Sequence, residues 1–155
     1  MSQTHEEHYP YIRACIRLAE EAVANGNHPF GSILVHDGEI LLRAQNMIHT
    51  MNDIAAHPEI MLARSAASRY DADFLADCTL YTSTEPCAMC SGGIYWSGIG
   101  RVVFACSVLT LRDRLQRGGL VIPCRDILDR GTRPVTVIER VLEEEAFKVH
   151  ETFWT

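Results

Sequence analysis

His57, Cys87 and Cys90 constrain this chain more than any other residues, because one imidazole and two thiols recur in a spacing that suits a single metal ion. They lie in two short runs, His57-Pro58-Glu59 and Pro86-Cys87-Ala88-Met89-Cys90. Zinc takes nitrogen and sulfur ligands in this mixture, and three protein ligands leave the fourth tetrahedral position open, as in a catalytic rather than a structural site. Cys87 and Cys90 are three apart, so a helix starting near Cys87 puts both sulfurs on one face. Pro86 suits the entrance of that helix, where no backbone N–H is needed. Pro58 does the same for a helix over residues 58–70, whose apolar members include Ile60, Met61, Leu62, Ala63, Ala66 and Ala67. Both runs then begin helices, and the positive ends of the helix dipoles favour thiolate over thiol. Glu59, in a first turn, reaches a metal-bound water without being a ligand. A lone C-x-x-C also suits a redox pair or half of a zinc knuckle, but neither a thioredoxin-like context nor a second C-x-x-C is present. The expectation is one Zn2+ per chain.

The rest of the chain reads as one domain over residues 1–155. With 47% apolar and 22% charged residues it can bury a core but has no room for two ordinary domains. Apolar spacing over Tyr9–Ala24, closed by Asn25-Gly26, predicts a helix. Asp37-Gly38 between residues 32–36 and 39–44 predicts a tight hairpin. The two metal helices follow, separated by a strand over residues 79–82 and followed by one over 102–106. A short helix over 111–115, a loop-rich stretch over 116–134, a strand over 135–141 and a last helix over 143–153 complete the order. Alternating helices and strands give an α/β layered fold. Cys15, Cys78, Cys106 and Cys124 stand singly among apolar neighbours and read as small core residues. His5 and His8 read as part of a polar tail, and His28 as a loop residue.

Charge and compartment narrow the partners. Net charge is −6, and Asp113, Asp126 and Asp129 interleave with Arg112, Arg114, Arg117, Arg125, Arg130 and Arg133. That pattern is a mixed solvated surface rather than a phosphate track, which argues against a nucleic-acid partner. No apolar run has transmembrane length, and the start has no basic-then-apolar signal, so a cytoplasmic protein with no membrane partner is expected. Free thiols suit a reducing compartment.

The metal runs belong to a wider set: Pro29-Phe30-Gly31, Gln45-Asn46-Met47, residues 80–90, Ile94-Tyr95-Trp96-Ser97-Gly98-Ile99 and Arg101-Val102-Val103-Phe104. Together they resemble the cytidine deaminase-like superfamily, in the branch of bacterial guanine deaminases, fungal cytosine deaminases and tRNA adenosine deaminases. H-x-E followed by P-C-x-x-C is the mark of zinc deaminases acting on nucleobases. The resemblance is good over residues 9–107 and weaker beyond. Pro58 departs from the usual alanine, yet proline fits a first helical position.

This resemblance implies a three-layer α/β/α sandwich with a five-stranded mixed sheet, and a homodimer paired through the zinc-bearing helices. It implies a hydrolytic deaminase of a free nucleobase or nucleoside, guanine-like in its Pro29-Phe30-Gly31, Glu85-Pro86-Cys87 and Ile94-Tyr95-Trp96 segments. Deamination of adenosine in tRNA and a catalytically inert zinc module are the alternatives. Glu59 becomes the proton shuttle, and Asn46 and Glu85 become substrate-binding positions. Phe30 is a candidate pocket wall, with core packing as its other reading. C-terminal aromatics cover the base in the resembling free-base enzymes, which makes Trp154 the lid candidate, while the helical spacing of Phe153 reads as core.

Overall fold

The structure is a computed structural model, described here for residues 5–116 and 119–155. After a single 3-10 turn at His5–His8 the elements are α1 (Tyr9–Ala24), β1 (Gly31–His36), β2 (Glu39–Gln45), α2 (Pro58–Arg69), α3 (Ala72–Ala76), β3 (Thr79–Thr84), α4 (Ala88–Ser97), β4 (Arg101–Cys106), α5 (Val108–Leu115), α6 (Arg125–Leu128), β5 (Thr136–Ile138) and α7 (Glu143–Trp154). The strands form one five-stranded sheet in the order β2-β1-β3-β4-β5. β1 runs antiparallel to both neighbours, and β3, β4 and β5 are parallel, so the sheet is mixed.

Period-two alternation along the strands builds the layers. Leu34, Leu80, Val102 and Phe104 face one side, where they pack with Leu62, Ala63 and Ala66 of α2 and Ile94 of α4. Their neighbours Ile33, Val35, Tyr81, Val103 and Ala105 face the other, against Ile12, Cys15 and Ile16 of α1 and Ala146 and Phe147 of α7. The result is the expected three-layer sandwich. Cys15, Cys78, Cys106 and Cys124 are all buried in these two cores.

Local chemistry fixes the joints. Asp37 and Gly38 both have positive φ (47° and 78°), as a type I′ turn requires. Gly31 opens β1 where α1 crosses; a Cβ there would lie 2.4 Å from the Cys15 carbonyl oxygen, so only glycine fits.

Several expectations are corrected. His8 is not a tail residue: it is buried, with Nδ1 2.8 Å from the Tyr81 hydroxyl. The stretch after α5 contains α6, and α5 itself starts at Val108 rather than Leu111. β5 spans only Thr136–Ile138, because Arg140 and Leu142 adopt left-handed φ values (59° and 57°) that end the extended run. Arg117, named as part of the mixed-charge surface, lies outside the described residues. Its neighbours behave as expected, Arg112 pairing with Asp113 and Arg114 with Glu144.

Candidate active site

Two helix entrances meet at the carboxyl end of β3. His57 is the N-cap of α2 and Cys87 the N-cap of α4, with Pro58 at the first helical position of α2. The helices lie against each other at Gly93, where an added Cβ would come within 3.0 Å of the Ile60 side chain. This approach brings His57 Nδ1 to 3.6 Å from Cys87 Sγ and 3.6 Å from Cys90 Sγ. A tetrahedral zinc with bonds of about 2.05 Å to nitrogen and 2.3 Å to sulfur holds those atoms about 3.6 Å apart. His57, Cys87 and Cys90 are the one metal-competent His/Cys/acid trio among the described residues, and its spacing fits zinc.

The electrostatics agree. Cys87 is drawn down to about 4, first by a hydrogen bond from the Cys90 thiol, which outweighs its own burial, and then by His57. Cys90 is pushed up, first because it supplies that proton to Cys87 and then because it is buried. One proton is thus shared by two sulfurs, and a cation in its place lets both ionise. His57 is raised, mainly through its bond to Cys87.

Glu59 projects beside this trio from the first turn of α2 and is only 4% exposed. Burial raises its pKa, against a lowering contribution from Thr82. Thr82 Oγ1 donates to Glu59 Oε1 at 2.7 Å, and Ser32 Oγ lies 2.8 Å from Thr82 Oγ1 and 3.3 Å from Oε1. Two adjacent strands therefore fix one carboxylate oxygen.

His57, Glu59 and Cys87 open into a cavity of about 490 Å³, and Phe30, Asn46, Glu85 and Trp154 line the same cavity. Asn46 Oδ1 accepts from the backbone N–H groups of His28 (3.3 Å) and Ile48 (3.1 Å). Those bonds set the amide's orientation and leave its NH2 as the donor side. Phe30 packs edge-on against His150 with centroids 5.3 Å apart. Each oxygen of Glu85 accepts from a backbone amide, Val108 at 3.0 Å and Cys124 at 2.8 Å. Glu85 thus braces the two ends of the segment carrying Leu120 and Val121, which form the opposite wall. Sequence reading missed His28, Thr84, Val108 and Leu111, all on the cavity wall. His28 lies in the loop between α1 and β1, as expected, and its ring meets Trp154 at 5.3 Å and Phe153 at 5.8 Å. Phe153 is half-buried beside these rings rather than part of either core. The missed signal was the aromatic pair at the far end of the chain, whose contacts only the fold supplies.

A family model for the cytidine and deoxycytidylate deaminase zinc-binding region matches residues 5–106. The chain belongs to this zinc-binding deaminase family. It is 39% identical to a probable cytosine deaminase of Schizosaccharomyces pombe, over 96% of this chain and 93% of that one. Guanine deaminase of Bacillus subtilis is 42% identical over 63% of this chain and 64% of its own. A tRNA-specific adenosine deaminase of Aquifex aeolicus is 35% identical over 79% and 76%. Among solved structures, guanine deaminase from Nitrosomonas europaea superposes with a TM-score of 0.77 at 23% identity, covering 92% of this chain and 81% of that one, which supports the fold alone. The matching relatives are deaminases, hydrolases of carbon–nitrogen bonds in cyclic amidines, and zinc is the metal their family binds.

Proposed function

We propose that this chain is a hydrolytic deaminase of a free nucleobase, acting as one catalytic domain in the cytoplasm and as a homodimer. The observation that carries the reading is the convergence, in one mostly apolar cavity, of the metal trio, a buried carboxyl and a single oriented amide. Zinc on His57, Cys87 and Cys90 supplies a Lewis acid that makes water nucleophilic near neutral pH. Thr82 and Ser32 occupy Glu59 Oε1, so Oε2 is the oxygen that moves protons. It accepts one proton from the attacking water and delivers it to a ring nitrogen of the base, then takes the remaining proton from the new C–OH as the carbonyl forms and passes it to the departing amine. A carboxyl whose pKa is raised by burial holds a proton more readily than an exposed one and is suited to give as well as take that proton. The Asn46 NH2 donates to an acceptor of the base and sets the angle at which its amine-bearing carbon meets Glu59. Trp154 closes the cavity with a flat apolar face.

Within the free bases the lead substrate is guanine-like, on the likeness of the Pro29-Phe30-Gly31, Glu85-Pro86-Cys87 and Ile94-Tyr95-Trp96 segments to guanine deaminases. Cytosine is the second reading, favoured by whole-length similarity to the S. pombe protein. A tRNA substrate is disfavoured by charge: Arg13, Arg114, Arg125 and Arg140 are paired with Glu145, Glu144, Glu139 and Glu143. Comparison of kcat/KM for guanine, guanosine, cytosine and isolated tRNA tests all of this. Guanine is expected to lead; a tenfold preference for cytosine overturns the guanine lead, and turnover confined to tRNA overturns the free-base reading.

A further inference from the structure

A hydrogen-bond relay runs from the last helix into the cavity, and nothing in the chemistry above uses it. His150 is 1% exposed, in α7, and its two ring nitrogens have different partners. Nδ1 lies 3.1 Å from the indole Nε1 of Trp154, one helical turn on, and Nε2 lies 2.6 Å from Thr84 Oγ1, at the end of β3. Thr84 and Trp154 both line the cavity that holds Glu59 and Asn46.

We propose that Thr84 is a substrate-contacting hydrogen-bond donor and that His150 and Trp154 are positioning residues that orient it. The inference rests on the cavity's being a nucleobase pocket. An indole N–H can only donate, so Nδ1 accepts and a neutral ring must carry its proton on Nε2. Nε2–H then donates to Thr84 Oγ1. A hydroxyl has one proton to give, and among the described residues the Thr84 hydroxyl has no other hydrogen-bond partner. The relay therefore fixes Oγ1 as an acceptor toward His150 and leaves its proton for the cavity. Burial keeps the ring neutral, holding His150 down to about 4, and the Phe30 ring packs against it edge-on. The Asn46 amide and the Thr84 hydroxyl then present two donors, which call for a substrate with two acceptors, such as a ring carbonyl and an unprotonated ring nitrogen. The same relay ties Trp154 to β3, so the wall covering the base and the donor facing it are set by one imidazole.

The test combines NMR of the wild-type protein with kinetics. Long-range 1H–15N spectra report which His150 nitrogen carries the proton, and Nε2 is expected at pH 7. Steady-state kinetics on guanine and cytosine are compared for zinc-loaded wild type, Thr84→Val and Thr84→Ser. For whichever base the wild type turns over, Thr84→Val is expected to raise KM roughly tenfold at unchanged zinc content, with kcat less affected, and Thr84→Ser to recover to within about threefold. Thr84→Ala replaces the valine variant should that one fail to fold. A ring protonated on Nδ1, or a valine variant with wild-type KM, overturns the proposal. If the wild type turns over neither base, the free-base reading fails separately, and the tautomer alone then decides the relay, Nε2 supporting it and Nδ1 refuting it.

Discussion

Burial acts on Glu59 and His150 in one sense, toward the neutral form, raising the carboxyl and lowering the imidazole. For Glu59 this readies a group that must both take and give a proton. Glu59→Gln keeps the size and the contact to Thr82 but cannot shuttle, so it should retain zinc and the fold while losing about 10²- to 10⁴-fold in turnover. Cys87→Ala, by contrast, should lose most of its zinc; metal analysis beside the activity assay separates the two. For His150 the consequence is linkage. An unfolded chain takes up this proton below about 6.5, whereas the folded protein resists until about 4. Between those values the unfolded state holds more protons, so stability is full above the upper one and falls as pH drops toward the lower. The loss is about 2 kcal/mol by pH 5. Gln at 150 can reproduce both hydrogen bonds without titrating. Urea unfolding at pH 8 and pH 5 should therefore show His150→Gln gaining on the wild type by about that amount, and an equal gap at both pH values contradicts it. None of this is legible in the sequence, because Thr84, 66 residues away, reaches His150 only through the fold.

Elements whose boundaries are set locally were legible: Pro58 and Pro86 marked the entrances to the metal helices, Asn25-Gly26 closed α1, and Asp37-Gly38 made the hairpin. Elements set by distant partners were not. α3 and α6, of five and four residues, are too short to show a period, and α6 begins beside Cys124, whose amide is held by Glu85 from the other end of the cavity. The resemblance marked Glu85 as substrate-binding, yet both its oxygens are engaged by backbone N–H groups. Its effect on substrate is therefore expected through the wall it braces. Glu85→Ala leaves two amides without their carboxylate and should cost about 2–4 kcal/mol in stability. KM should rise more than kcat falls, as the segment with Leu120 and Val121 loses its anchor. Glu85→Gln retains one acceptor oxygen and should sit between. Chemical denaturation and kinetics on the three proteins check this, and an alanine variant as stable as the wild type with unchanged KM contradicts it.

At the scale of the whole molecule the described surface carries neutralised charge and five large apolar exposures, at Met51, Ile54, Met89, Trp96 and Leu120. Arg114 and Arg125 are paired with Glu144 and Glu139 from other parts of the chain, Arg112 with its neighbour Asp113, and no helix among the described residues is long and apolar enough to cross a membrane. Of the Ile94-Tyr95-Trp96 run, Ile94 is core and Tyr95 is held within the chain by Thr132 and by Arg133, which stacks on its ring. Trp96 alone stays 84% exposed. Met89, two turns earlier on the same helix, lines the active-site cavity, so Trp96 is the large exposed apolar side chain of α4 that lies outside the site. An isolated surface leucine needs no explanation, but an indole this exposed on a metal-bearing helix is expected to be covered. The occupant proposed is a second copy of the chain, laying α4 against its counterpart. Sedimentation at micromolar concentration should show a dimer, and Trp96→Glu should shift it to monomer while leaving the His57, Cys87 and Cys90 ligands unchanged. Placing a charge at the centre of a paired face is costly twice in a two-fold assembly, once for each copy, so the shift should be large. A wild type that sediments as a monomer at that concentration rejects the pairing.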